Sequence, residues 1–251
     1  MKYKIEKSYW QRDIRKREYM LAGLTGVMTI LIFSYLFYGT ILVTILLLPY
    51  LIRYLKSWET QTIKKKKRMF RLQFKDAVQS LAAALNVGYS VENAMKESLK
   101  DLQLIYKGDE KIIRELRYMI RQTEMNVTME QVWTEFAART REEDVQTFVT
   151  VFVMAKRGGG DMIGIIRNTV RQMGEKADVK REIETVISAK KLEFKVMTAI
   201  PFAMICYMKI SFPEFMSALY GNVAGVVIMT VCLGIYMAAY EFGKRIVEIE
   251  V

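Results

Sequence analysis

The residues MLAGLTGVMTILIFSYLFYGTILVTILLLPYLI, numbered 20–52, contain no charged side chain, and they decide the fold class. One transmembrane helix needs about 20 apolar residues, so the run is too long for one span and fits two short spans broken near Gly39-Thr40. The alternative is one long tilted helix, which Pro49 and the shortness of the second half disfavour. The run is also too long for a signal peptide. We therefore predict a transmembrane hairpin at residues 20–55.

Clusters of basic residues flank this run on both sides. They comprise Arg12, Arg15, Lys16 and Arg17 before it, and Arg53, Lys56 and the run Lys64, Lys65, Lys66, Lys67, Arg68 after it. Basic residues beside a span stay in the cytoplasm, so two basic flanks require the chain to enter the membrane and return. Residues 1–19 are then a basic cytoplasmic N-terminus.

A second apolar region, residues 194–240, predicts a second transmembrane hairpin. It is interrupted by Lys209 and by the sequence SFPEF at 211–215, which predicts a turn outside the hydrocarbon. Lysines precede the region and Lys244 and Arg245 follow it, so residues 241–251 form a cytoplasmic C-terminus. Pro201 falls within the third of four predicted spans, and we expect it to kink that helix.

The polar segment between the hairpins, residues 60–191, predicts a cytoplasmic bundle of five or six short helices. Apolar residues recur there at the three-to-four spacing of a buried helical stripe. Two such stripes are Phe70, Phe74, Val78, Leu81, Leu85 and Ile112, Ile113, Leu116, Met119, Ile120. Helix starts are marked by Ser90 and by two capping boxes, Thr128 with Gln131 and Thr140 with Glu143. The predicted fold class is all-α.

A weak internal repeat lies within this segment, because Gly88–Met95 can be aligned with Asn126–Trp133. Gly and Asn are the residues that most readily adopt the left-handed conformation at the end of a helix, so the match of Gly88 with Asn126 has a physical reason. Each half reads as a helix, a tight turn and a capped helix. A chance likeness of two helical hairpins is the alternative.

The sequence KRGGGD at 156–161 predicts a structural turn at Gly158, Gly159, Gly160 and Asp161. A phosphate-binding loop needs Lys and Ser or Thr after its last glycine, whereas Asp161 would repel phosphate. A long amphipathic helix follows, with a basic and acidic face that is either solvated or binds a partner. The basic residues of that face are Arg167, Arg171, Lys180 and Arg181.

Composition disfavours several classes of function. The chain is 52% hydrophobic and 26% charged, with the two kinds segregated, as in a membrane protein with a soluble part. Lipid headgroups and topology explain the net charge of +11, so nucleic acid is not expected as a partner. The chain has no histidine, and both cysteines, Cys206 and Cys232, fall in apolar regions, so we expect no catalytic residues, no metal and no cofactor. A small-solute or ion transporter remains the alternative, although transporters usually carry ionisable groups at the bilayer midplane.

In order, these elements resemble the type II secretion system protein F superfamily. They are two N-terminal spans, a Gly-x-Ser-apolar-x-x-Ala turn (Gly88, Ser90, Val91, Ala94), a second turn followed by FAAR at 136–139, a Gly-Gly element, a charged helix and a span with Pro201. The resemblance covers residues 70–202 and is greatest to the tight-adherence (Flp) pilus assembly proteins TadB and TadC. Asn126 and Trp133 depart from the family pattern.

The resemblance implies a non-enzymatic platform protein in the bacterial plasma (inner) membrane, with both termini in the cytoplasm. It implies a secretion ATPase, a second platform protein of the same family, pilin-like subunits and membrane lipids as partners, in a homo- or hetero-oligomer. Arg167, Arg171, Lys180 and Arg181 are the candidate ATPase contacts. No catalytic or cofactor-binding residue follows from the resemblance.

Overall fold

A computed structural model describes residues 9–11, 13–14, 16–39, 44–106, 110–158, 162–220 and 222–247. These residues are almost all helical, and no strand occurs among them. The helices are α1 (Lys16–Tyr38), α2 (Thr44–Asn86), α3 (Val91–Ile105), α4 (Lys111–Glu124), α5 (Met129–Thr140), α6 (Glu143–Gly158), α7 (Met162–Ser211), α8 (Pro213–Tyr220) and α9 (Val223–Val247). The predicted all-α fold class is confirmed for this part of the chain.

Three of these helices contain a stretch long and apolar enough to cross a membrane, namely Lys16–Tyr38, Ile163–Ser211 and Ala224–Val247. The protein is therefore a membrane protein by the length and composition of its helices. The second predicted span, residues 41–52, lies partly outside the described residues and stays a prediction. The alternative of one helix through residues 20–52 is wrong, because α1 ends at Tyr38 and Gly39 has φ +64°.

The chain divides into two compact units. The bundle unit comprises Met1–Arg15 and Thr60–Val179, and the span unit comprises Lys16–Glu59 and Lys180–Val251. Helices α2 and α7, of 43 and 50 residues, each contribute to both units. Six helices occupy the described part of residues 60–191, as predicted, but only the four between the long ones (α3 to α6) are short, because α2 begins before this segment and α7 continues beyond it. Lys and Arg are good helix formers, so the basic run in α2 does not end that helix.

The core of the bundle unit is aromatic and aliphatic. Both predicted stripes are buried, from Phe70 to Leu85 on α2 and from Ile112 to Ile120 on α4. Trp133 lies 5.1 Å from Phe148 and 5.9 Å from Phe136, measured between ring centroids. Neighbouring short helices pack pairwise in chain order, α3 on α4, α4 on α5 and α5 on α6. Short connections favour this antiparallel arrangement.

In the span unit, the C-terminal end of α1 packs against α9. Leu36, Phe37 and Tyr38 form a buried cluster with Met229 and Leu233. The last four carbonyls of a helix lack partners within it. Two of the last four carbonyls of α1 accept hydrogen bonds from side chains elsewhere in the same unit. Lys209 Nζ donates to the Tyr35 carbonyl at 3.0 Å, and the Tyr220 hydroxyl donates to the Leu36 carbonyl at 2.5 Å.

The prolines of the second hairpin occupy two different helix positions. Pro201 lies inside α7, where it cannot donate to the Met197 carbonyl. The Tyr236 hydroxyl donates to the next carbonyl, that of Thr198, at 3.2 Å. Pro213 is the first residue of α8, a position that suits its fixed φ. The turn predicted at 211–215 is therefore only one residue long, Phe212, before the chain becomes helical again.

Candidate functional site

The first turn of the bundle unit, between α2 and α3, is closed by backbone hydrogen bonds around Gly88. Gly88 has φ +97°, its N–H donates to the Leu85 carbonyl at 3.0 Å, and the Tyr89 N–H donates to the Ala84 carbonyl at 3.3 Å. These two bonds define the Schellman motif, in which the left-handed residue is usually glycine. Ser90 then caps α3, accepting a hydrogen bond from the Asn93 N–H at 3.4 Å.

The second turn, between α4 and α5, has the same geometry. Asn126 has φ +62°, its N–H donates to Thr123 at 3.0 Å, and the Val127 N–H donates to Gln122 at 3.1 Å. Thr128 caps α5 and accepts from the Gln131 N–H at 3.4 Å. Asparagine is one of the few residues other than glycine that adopts this conformation at low cost.

The internal repeat extends beyond the turns into the packing of the helices. When the two halves are aligned so that Gly88 matches Asn126, buried positions match buried positions on both sides of the turns. The pairs are Leu81 with Met119, Ala82 with Ile120, Ala94 with Val132, Met95 with Trp133, Ser98 with Phe136 and Leu102 with Thr140. The two halves are therefore equivalent helical hairpins, although one has the smaller residues at most of these positions.

Two contacts between side chains bring the helix connections together at one end of the bundle unit. Lys96, near the first turn, pairs with Glu124, at the second turn, at 2.8 Å. Lys156, near Gly158, pairs with Glu130 at 3.4 Å. We call this end of the bundle unit the turn end.

The start of α7 belongs to the turn end as well. Arg167 donates to Asn86, the last residue of α2, at 2.6 Å. Gly158 is the last residue of α6. Gly159, Gly160 and Asp161, which were predicted to form a turn, lie outside the described residues.

The turn end exposes apolar side chains at the tips of both turns. Val87 is 78% exposed and Met125 is 75% exposed, and Tyr89 is also largely accessible. Exposed apolar groups beside basic ones are typical of a surface that binds another protein. No group of three or more His, Cys, Asp or Glu side chains that would hold a metal occurs among the described residues.

The four candidate ATPase contacts do not all belong to one unit. Arg167 and Arg171 lie in the bundle unit on one face of α7, since residues four apart share a helix face. Arg171 is exposed and donates to Asn168 at 2.8 Å. Lys180 and Arg181 belong to the span unit, as does Pro201.

The opposite end of the bundle unit contains residues whose contacts the sequence pattern did not predict. Residues 9–11 and 13–14, which we call the strap, pack against α2, α4 and α5. Trp10 is 1% exposed, its ring centroid lies 5.3 Å from that of Phe70, and its indole N–H donates to the Thr140 carbonyl at 3.3 Å. A lone aromatic pair, Tyr9-Trp10, in a charged segment was the available signal. The description of residues 1–19 as only a basic cytoplasmic tail is therefore incomplete.

Charged groups surround the strap. Asp13 pairs with Lys111 and, at 2.9 Å, with Arg114. The Tyr9 hydroxyl donates to Glu115 at 2.8 Å. Burial lowers the pKa of Lys111, against the opposing effect of Asp13. Burial and the neighbouring Glu115 carboxylate both raise the pKa of Tyr9 well above its usual value.

A second acidic residue at this end corrects one predicted helix cap. Thr140 is the last residue of α5 and its hydroxyl donates to the Phe136 carbonyl at 2.9 Å, so the predicted capping box of Thr140 with Glu143 is wrong. The connection instead turns at Arg141, which has φ +52°. Glu142 is buried beside Lys67 at 3.1 Å and Arg71 at 3.3 Å. These partners lie some seventy residues away in sequence, so no local pattern indicates them.

Comparison with protein-family models, with curated proteins and with solved structures finds no match to this chain. The family resemblance stays a prediction from the ordered motifs.

Proposed function

We propose that this chain is a non-enzymatic platform protein of a Flp pilus or type II secretion-like assembly machine. In this proposal the bundle unit lies in the cytoplasm and receives movement from a secretion ATPase. The span unit passes that movement to pilin-like subunits as they leave the bacterial plasma membrane. A second platform protein of the same kind completes the assembly.

The observation that carries the proposal is helix α7. It begins at the turn end, passes Arg167 and Arg171, and continues without interruption to Ser211 in the span unit. A helix is held by a hydrogen bond at nearly every residue, and in α7 only Pro201 lacks its donor, so the helix transmits displacement better than a flexible linker does. Helix α2 makes the same passage in the other direction along the chain.

The turn end supports the assignment of an ATPase-binding face. It contains both turns on which the family resemblance depends, around Gly88 and Asn126. Its exposed Val87 and Met125 offer apolar contact area, and Arg167 adds a positive charge close by. Interfaces commonly combine such apolar anchors with arginine.

Membrane topology is part of the same proposal. The apolar stretches of α1, α7 and α9 supply three spans by length and composition. Residues 41–52 would supply the fourth, which returns the chain to the cytoplasm and places the bundle unit there. Basic flanks at the inner ends of both hairpins favour two cytoplasmic termini.

Site-specific photocrosslinking of the full chain in its native host tests the proposal. A photoreactive amino acid replaces Val87 or Met125 at the turn end, and Leu104 in the control, which is 84% exposed at the other end of α3. We expect mass spectrometry to find a secretion ATPase attached at Val87 and Met125 but not at Leu104. All three positions lie in the same unit, so expression and insertion are matched.

Two results would count against this function. Equal capture of the ATPase from Leu104 would remove the turn end as the binding face. Capture of no ATPase and no second platform protein, with altered accumulation of a small solute or ion in a deletion strain, would favour the transporter alternative.

A further inference from the structure

The strap, residues 9–11 and 13–14, precedes α1 in the sequence, and the first residue of α1 is Lys16. Its described residues contact three helices of the bundle unit that are distant in sequence. Phe70 of α2, Glu115 of α4 and Thr140 of α5 each receive one of these contacts. The strap therefore ties the segment that leads into the first span to the end of the bundle unit opposite the turn end.

The apolar part of this attachment is confined to two side chains, although one of them is a fully buried tryptophan. Trp10 and Ile14 are the buried apolar side chains among the described strap residues. The rest of the attachment is polar or ionic, and Arg114 beside Asp13 is 47% exposed to solvent. The exposed pair with Arg114 weakens as ionic strength rises, whereas the pair of Lys111 with Asp13, whose side chains are 13% and 18% exposed, is screened less, and apolar burial is not weakened.

Cations hold the strap from two sides. Lys66 on α2 donates to the Asp13 backbone carbonyl at 2.5 Å. On α4, Lys111 lies 3.5 Å from the centroid of the Tyr9 ring and 4.2 Å from that of Trp10, and it also pairs with Asp13. Asp13 thus pairs with two cations on α4, Lys111 and Arg114, so its loss removes both ion pairs from the strap.

We propose that residues 9–11 and 13–14 form a releasable strap, which docks on the bundle unit through Trp10 and Asp13 and whose release frees the chain that leads into α1. Docking and release exchange a state in which these residues are held on the bundle unit for one in which they are not. This inference goes beyond the proposed function, because it concerns contacts within one chain and holds whatever binds the turn end.

Fluorine NMR of the full chain in nanodiscs tests the strap. The chain has three tryptophans, so 5-fluorotryptophan gives three signals, and Trp10→Phe assigns one of them, with Trp58→Phe as a second assignment. We expect the Trp10 signal to be shielded from solvent at low salt. Raising the salt from roughly 50 mM to 1 M should increase the released fraction several-fold, because the screening length falls to about 3 Å.

Two substitutions distinguish the effect of removing a carboxylate at the strap from the effect of removing one elsewhere. Asp13→Asn should increase the released fraction about tenfold at low salt and flatten the response to salt. Glu124→Gln is the control, because it removes a carboxylate that pairs with Lys96 at 2.8 Å at the turn end. We expect it to leave the Trp10 signal unchanged.

Either of two outcomes overturns the proposal. A shielded Trp10 signal that responds to neither salt nor Asp13→Asn would show a fixed part of the core rather than a strap. A Trp10 signal that is exposed in the wild-type protein at low salt would show that the strap does not dock.

Discussion

Replacing Gly88 by alanine should loosen the first turn through backbone conformation alone. A Cβ at this position would meet no atom within 4 Å, so steric overlap does not contribute. The cost comes from φ +97°, because left-handed conformations cost a residue with a Cβ about 1–2 kcal/mol. A free energy near the lower bound, about 1 kcal/mol, corresponds to a roughly fivefold change in a local opening equilibrium.

Hydrogen exchange of the full chain in detergent measures that change. We expect amides in the last turn of α2 and the first turn of α3 to exchange roughly fivefold faster in Gly88→Ala. Gly158→Ala is the matched control, since a Cβ there also has open space but Gly158 ends α6 without a positive φ. In that control the helix should be unchanged or slightly more protected, because alanine is the better helix former.

The second turn extends the comparison. Asn126→Gly should change the exchange of its turn little, because both residues adopt φ +62° readily. The reasoning fails if Gly88→Ala leaves exchange unchanged, or if Gly158→Ala accelerates exchange as much as Gly88→Ala does. In either case the protection would come from something other than the left-handed residue.

Inserting Gly-Pro after Lys180 should break α7 and so abolish filament assembly, but it should not prevent membrane insertion. Inserting seven alanines at the same place is the control, because it preserves the helix and nearly its phase. Normal filaments with the Gly-Pro insertion would refute transmission through α7. Glu142→Gln should lower the free energy of unfolding by about 1–2 kcal/mol, because the Glu142 carboxylate is buried between two basic partners that remain. Glu97→Gln, in an exposed pair, is the control and should lower it by less than about 1 kcal/mol. Equal decreases in melting temperature for the two variants would contradict this. Because the pKa of Tyr9 is raised in the docked strap, the neutral Tyr9 hydroxyl stabilises docking fully below pH 10, and this stabilisation is lost as the pH rises above 10. At pH 10, Tyr9→Phe should therefore leave the tyrosinate absorbance unchanged, and a loss of about half a tyrosine would show that the group titrates normally.

The sequence predicts the local features of the bundle unit well. Gly88 and Asn126 carry their conformational preference in their own chemistry, and Ser90 and Thr128 carry theirs as helix caps. The buried stripes follow from spacing alone. The break at Gly39 is likewise a property of one residue and its neighbours.

Other features depend on partners that are distant along the chain. Thr140 has the spacing of a helix cap, but the preceding helix runs through it and leaves Glu142 to bind Lys67 of α2. Trp10 binds groups up to 130 residues away, so nothing in its own neighbourhood reveals them. The lengths of α2 and α7 were missed for another reason, since a change from apolar to charged residues marks a change of environment and not the end of a helix.

The contacts of Lys66 and Lys67 alter how membrane topology can be tested. Both belong to the basic run that follows the first apolar region, and both bind within the bundle unit. A variant that neutralises the whole run would remove the positive charge that sets membrane orientation, and it would also disrupt the contacts of the strap and of Glu142. Reporter fusions would then report misfolding as inversion. Lys16 and Arg17, both exposed at the start of α1, can be neutralised without that ambiguity.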